Sequence, residues 1–206
     1  MTAHKLISLG TAIAKSTPSF DNNSKNTLPD NLYQLLIHSN GLLAFESALM
    51  IRPLVNEGGI HSVFDWNDQK LWKSRYGDEQ TQNTLFFAED AFGYQFGYYQ
   101  NQIYSFDPET GEFDFICKDF IEWCDLIVSE YKQYTGYAIM HEWQIAKGPI
   151  ALGNRLCPKL PFVLGGQYEI DNLYSTPALD GILLRASVAT QIRDVPDGSS
   201  IKIEIE

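Results

Sequence analysis

The residues best suited to chemistry are few and scattered. Glu89 and Asp90 are adjacent carboxylates at the end of an apolar run, Leu85–Ala88. Two carboxylates serve as acid and base only when their surroundings push their pKa values apart. The competing reading is a turn in which Asp90 accepts from nearby backbone N–H groups, and the turn is preferred. A pocket holding strongly perturbed carboxylates, such as Glu89 with Asp90, would speak for an enzyme. The histidines, His4, His38, His61 and His141, show neither HxH nor HExxH spacing and have no cysteine beside them. No metal site is expected from them. His61 and Asp65 stand four apart and could share a helix face, as a structural pair rather than as ligands. Cys117, Cys124 and Cys157 fit no CxxC pattern and are odd in number, so reduced, buried thiols are expected. There is no phosphate loop and no nucleophile elbow, and Gly93-Tyr94-Gln95-Phe96-Gly97 has the wrong spacing for a dinucleotide fingerprint. No catalytic residue and no cofactor is expected.

Charge is the sharpest signal. The 206-residue chain carries 26 acidic and 15 basic residues, for a net charge of −11. Phosphate contacts need Lys and Arg, so nucleic acid and anionic membrane are disfavoured as partners. The excess is concentrated. Residues 76–131 hold twelve acids and one base, Lys118, whereas the flanking stretches are close to neutral. An ordinary surface mixes signs. Tyrosines interleave with these carboxylates, a composition suited to a protein-binding face that steers a basic partner. The candidate partner-binding residues are therefore Glu89, Asp90, Tyr94, Tyr98, Tyr99, Tyr104, Asp107, Glu109, Glu112 and Asp114.

The elements that must position them follow from periodicity and punctuation. A helix is expected from Pro29 to Asn40-Gly41, with Leu32, Leu35 and Leu36 on one face. Ala44–Leu54 reads as extended, and 59–76 as a second helix carrying Trp66 and Trp72. The centre reads as a β-meander. Phe92, Tyr94, Phe96 and Tyr98 alternate with smaller or polar residues, which puts four rings on one strand face. The opposite face is small at Gly93 and Gly97, which permits a close approach. Gln100-Asn101 and Asp107–Gly111 are turns, followed by a strand over Glu112–Cys117. The segment 118–132 is an amphipathic helix with Phe120, Trp123, Cys124, Ile127, Val128 and Tyr131 at three- and four-residue spacing. Further on, Thr176-Pro177 opens a helix with Leu179, Ile182, Leu183, Ala186, Ala189 and Ile192 in one stripe. Ile201, Ile203 and Ile205 alternate as a strand. The expected class is α+β, a twisted mixed or antiparallel sheet flanked by helices. The expected division is 1–26 as an N-terminal segment and loop, 27–140 as the core, and 141–206 as an extension packed on it. Lys5 ahead of Leu6–Ala14 has some look of a signal peptide, but Ser8, Gly10 and Thr11 interrupt the short run, so no cleaved signal and a cytoplasmic location are expected.

These stretches resemble the core of the SUKH superfamily. Leu28-Pro29-Asp30 leading into a helix that ends at Asn40-Gly41 is similar to its opening. Leu85–Phe96, with an apolar strand, an acidic turn and a Gly-containing return, is similar to its central signature. Ile103–Glu112 and the helix with Phe120 and Trp123 follow in the order expected. The resemblance covers about 27–132, and Pro161–Gly166, Asn172-Leu173 and Pro196-Asp197-Gly198 resemble an extension of some bacterial members. It implies an α+β fold and a cytoplasmic immunity protein of a polymorphic toxin system. Such a protein binds a cognate secreted toxin domain with a basic surface, often a nuclease, and neutralises it without catalysis. The alternative within the same fold is an intracellular regulatory scaffold.

Overall fold

Period-two patterning and turn chemistry build the centre of the molecule first. The computed structural model describes residues 2–14, 27–196, 198–199 and 202–203. A seven-stranded sheet is formed by β1 (Gly10–Ala12), β2 (Leu42–Ala44), β3 (Leu49–Ile51), β4 (Leu85–Glu89), β5 (Gln95–Tyr99), β6 (Gln102–Phe106) and β7 (Phe113–Cys117). Every strand lies beside its neighbour in sequence and every pairing is antiparallel. The class is α+β, with an antiparallel sheet flanked by helices. Among the described residues there are seven α-helices: α1 (Thr2–Ser8), α2 (Asp30–Ser39), α3 (Val63–Trp66), α4 (Glu79–Asn83), α5 (Phe120–Tyr134), α6 (Tyr137–Lys147) and α7 (Ala178–Ile192). A separate hairpin, β8 (Asn154–Pro158) with β9 (Leu173–Pro177), completes the fold.

Successive strand residues face opposite ways, so one strand feeds two cores. Phe87 belongs to a cluster with Leu6, Leu32, Leu36, Phe96, Phe120 and Trp123, beneath α1, α2 and α5. Its neighbour Phe86 belongs to another, with Trp66, Trp72, Tyr76, Phe106 and the α7 residues Ile182, Ala186 and Ala189. Each fully buried Leu, Ile or Phe among them contributes roughly 1.5–3 kcal/mol of hydrophobic stabilisation. A third cluster, with Ala91, Phe92, Met140, Trp143, Leu156 and Leu173, ties α6 and the β8–β9 hairpin to the β4–β5 turn. α5 starts where expected because Asp119 caps it, accepting from the N–H groups of Ile121 and Glu122 at 2.9 and 3.0 Å.

Several expectations are corrected. Residues 10–12 are not a detached lead-in. They form the first strand of the sheet, with Gly10 opposite Ala44 and Ala12 opposite Leu42. The part of the expected N-terminal segment and loop that falls on 15–26 lies outside the described residues, as does most of the strand expected at Ile201–Ile205. Ala44–Leu54 is not one extended run. It is the hairpin β2–β3, whose turn holds Phe45, Glu46 and Ser47 at positive φ. The stretch 59–76 is not one helix. It contains only α3 and a 3-10 turn over Lys73–Arg75. Asn67 explains the break: its side chain donates to Phe86 O at 2.7 Å and accepts from Phe86 N–H at 2.9 Å, like a strand residue paired with β4. His61 precedes α3, so it shares no helix face with Asp65. The four-ring stripe splits, because β5 begins only at Gln95. Phe92 and Tyr94 lie in the turn and pack toward the C-terminal part, whereas Phe96 and Tyr98 pack with α5. Thr176 belongs to β9 opposite Arg155 and does not cap α7. Residue 140, where core and extension were expected to meet, lies inside α6; as for the extension's expected packing on the core, α7 lies against Phe86 of β4 and Phe106 of β6.

Candidate functional site

Glu89 ends β4 inside the protein, not on its surface. Arg52 follows β3 and Arg155 sits on β8, and both reach it. Oε2 of Glu89 accepts from Arg52 at 2.7 Å and from the Gln95 amide at 2.9 Å, while Oε1 accepts from Arg155 at 2.9 Å. The Glu89, Arg52 and Arg155 side chains are each 1 % exposed. Arg52 also lies over Trp66, 3.3 Å from the ring centroid, and Trp66 Nε1 donates to the Gln95 side chain at 2.9 Å. Burial alone would raise the Glu89 pKa, but the charges of Arg52 and Arg155 more than offset it and hold the carboxyl below its ordinary value. Burial pulls Arg52 down to about 10, which leaves it protonated. With both oxygens occupied and its charge fixed, Glu89 is a tie between β3, β4, β5 and β8 rather than a proton acceptor.

Asp90 has the opposite fate. Its Oδ1 accepts from the N–H groups of Phe92 and Tyr94 at 2.8 and 2.9 Å, and its own N–H donates to Tyr94 O at 3.0 Å. This is the local turn preferred from the sequence. Burial pushes its carboxyl up to about 7, offset in part by those two N–H donors and by Arg185 and Arg155. Arg185 arrives from α7 and donates to Phe92 O and, at 3.0 Å, to Gly181 O. A Cβ at Gly93 would lie 2.6 Å from its guanidinium, the movable end of a long side chain, and it is the φ of +77° that calls for glycine there. At Gly97 the close neighbour is Thr84, 2.3 Å from a notional Cβ. The close approach expected at both glycines is made by the protein's own side chains.

Outside the Asp90 turn lies a cavity of about 370 Å3. Phe92, Tyr94, Tyr134 and Tyr168 give it aromatic walls, and Asp90 and Asp114 give it two carboxylates. The Tyr94 and Tyr168 hydroxyls are 3.2 Å apart. Tyr168 stacks on Phe162, with centroids 3.8 Å apart, and both rings meet Phe92 edge-on. The wall is fastened by Glu109, whose Oε2 accepts from Val163 N–H at 2.9 Å.

The ten candidate residues therefore separate. Glu89, Asp90 and Glu109 are buried, so none of them can meet a partner as part of an exposed face. Tyr94, Tyr98 and Asp107 are half-buried, and Asp107 accepts from Glu109 N–H at 2.7 Å within its turn. Tyr99 and Tyr104 are partly exposed on the sheet, with Tyr104 5.8 Å from Phe115. Glu112 and Asp114 are exposed. Three more exposed acids continue this group: Asp119 at the cap of α5, and Glu122 and Asp125 along it. β7 pairs only with β6 among the described residues, and it presents Phe115 with 53 % of its surface exposed. Sequence reasoning passed over Phe115, Tyr168 and the three buried arginines. Arg52 and Arg185 did carry a signal, since each interrupts an apolar run and a buried charge needs a partner; Arg155, after Gly153-Asn154, carried none. Tyr168 carried none.

Cys117, Cys124 and Cys157 are all buried, and burial raises Cys117 to about 11 and Cys124 to about 12, which keeps those two thiols protonated at neutral pH. Among the described residues no three His, Cys, Asp or Glu side chains are grouped as metal ligands, and no helix is long and apolar enough to cross a membrane.

No family model matches the chain, and no curated protein matches it. A crystal structure of Atu4351 from Agrobacterium tumefaciens is similar in fold, with a TM-score of 0.57 at 16% identity over 90% of this chain and 88% of that one.

Proposed function

We propose that this protein is a cytoplasmic immunity protein of the SUKH type. It binds a cognate toxin domain through the outer surface of β7 and α5 and neutralises it by occlusion, without catalysis. The observation that carries this reading is the run of exposed acids Glu112, Asp114, Asp119, Glu122 and Asp125 along the end of the sheet and the start of α5. Lys118 is the one base within that stretch. A nuclease or similar toxin presents a basic surface to its substrate, and such an acidic face speeds encounter with it and competes for it. Phe115 lies on the opposite face of β7 from Asp114, against Tyr104, and offers apolar contact along the β7 edge to a partner that wraps it. Of the two adjacent carboxylates only Asp90 borders the cavity; Glu89 is locked between two arginines and does not line it, so the two do not form an acid–base pair there.

Co-expression with the toxin encoded beside this chain tests the proposal. Rescue of growth, together with a complex on a sizing column, is the expected result. Unchanged toxicity and separate elution overturn it.

A further inference from the structure

The cavity beside the Asp90 turn is chemically one-sided. Its walls combine π faces with two carboxylates, and no lysine, arginine or histidine lines it. Arg185, the nearest cation to the turn, is engaged by Phe92 O and Gly181 O. Both backbone donors to Asp90 go to Oδ1, which leaves Oδ2 for a ligand, and the residue is only 7% exposed. Burial disfavours its ionised form, and a cation that enters offsets that cost and favours the carboxylate.

We propose that this cavity receives the charged head of an arginine or lysine side chain presented by a protein partner, an assignment that rests on reading the chain as a protein-binding module. An organic cation satisfies both halves of the lining, since aromatic faces and carboxylates each attract it. An anion would face two carboxylates. An apolar group would strip water from Asp90 and Asp114 with nothing in return. A hard metal ion prefers several oxygen ligands, and no cluster of three acidic or metal-binding side chains is present among the described residues. At about 370 Å3 the cavity accommodates a guanidinium and part of its stem. It also opens beside the acidic face, because Asp114 is exposed on β7 and Tyr168 is half exposed at the rim. Charge on the face would steer the partner, and the cavity would then fix its register through one buried side chain.

The test uses the full chain and three probes: N-acetyl-arginine methylamide, N-acetyl-lysine methylamide, and the citrulline analogue as the uncharged isostere of arginine. In NMR titrations the two cationic probes are expected to shift the amides of Phe92, Gly93, Tyr94 and Gly136. The citrulline probe is expected to bind at least about tenfold more weakly. Asp90→Asn keeps the turn's acceptor, and Tyr168→Leu alters a half-exposed ring. Each is expected to weaken the cationic probes about tenfold without altering the circular dichroism spectrum. Equal binding by citrulline, no shifts at those amides, or the same shifts with magnesium or calcium chloride overturns the proposal. So does a toxin that binds both variants as tightly as the parent chain while the probes bind only the parent, because the cavity would then serve a free cation. Probe binding together with a complete absence of toxin capture would instead remove the protein-binding reading.

Discussion

Two acidic regions of this molecule behave in opposite ways. Around Glu89, a single carboxylate meets two arginines and a glutamine in full burial. Between Glu112 and Asp125, along β7 and the first turns of α5, five carboxylates stand exposed with one lysine, Lys118, among them. Side-chain chemistry is nearly identical in the two places. In the first, low dielectric makes each contact strong and leaves no freedom to exchange it for a partner. In the second, water screens each charge, so the acids contribute little to the fold and remain available at long range. An acidic residue in this chain is thus a structural tie or a recognition group according to what tertiary contacts surround it.

The contrast is most easily broken at Glu89. Glu89→Ala leaves Arg52 and Arg155 buried without their counter-charge, and urea unfolding should report a loss of about 3–5 kcal/mol. A loss under about 1 kcal/mol would show that the inner region is no tie at all. Asp90 sharpens the distinction, because its pKa is raised to about 7 whereas that of Glu89 is lowered. A carboxyl that is raised in the folded state holds its proton more tightly there. Its neutral form is fully compatible with folding at pH below the unfolded value, and stability falls as pH rises toward about 7. Burial, Arg185, Arg155 and the N–H groups of Phe92 and Tyr94 set that balance. Asp90→Asn, neutral at every pH, should therefore stabilise the protein by roughly 1–3 kcal/mol at pH 8 and by much less at pH 4, as read from melting curves at the two values. An equal effect at both would remove the burial explanation.

The outer region is tested by association kinetics. Reversing Glu112, Glu122 and Asp125 together to lysine should slow toxin association about tenfold or more and flatten its salt dependence, with little change in dissociation. An unchanged association rate would detach the face from recognition. The smallest expected effect is on stability: Phe115→Ser and Glu112→Gln should each stay within about 0.5 kcal/mol of the parent, since both side chains are exposed.

The meander was legible from the sequence because its signals are local. Alternation marks β5 and β6, and the turns at Gln100-Asn101 and Asp107–Gly111 place Asn101 and Gly111 at the positive φ that those two residues suit. The same holds for α5, where an Asp cap precedes a clear stripe. α6 was missed for the converse reason. It follows Gly136 at φ +65° with no side-chain cap, and only Met140 and Trp143 are buried along it. The region 59–76 was misread because its helical propensity yields to Asn67 pairing with β4, a contact nineteen residues away.

The sequence by itself determined the class of fold, the order of the central strands and the segment that carries the negative charge. Each depends on residue type and near-neighbour spacing, which the chain records directly. Only the tertiary structure decided which of those acids are surface. Burial is a property of what packs on a residue from afar: Arg52 and Arg155 on Glu89, Arg185 across the Asp90 turn, and the Phe162–Leu164 turn on Glu109. Those contacts join residues far apart in the chain, and neither composition nor periodicity encodes them.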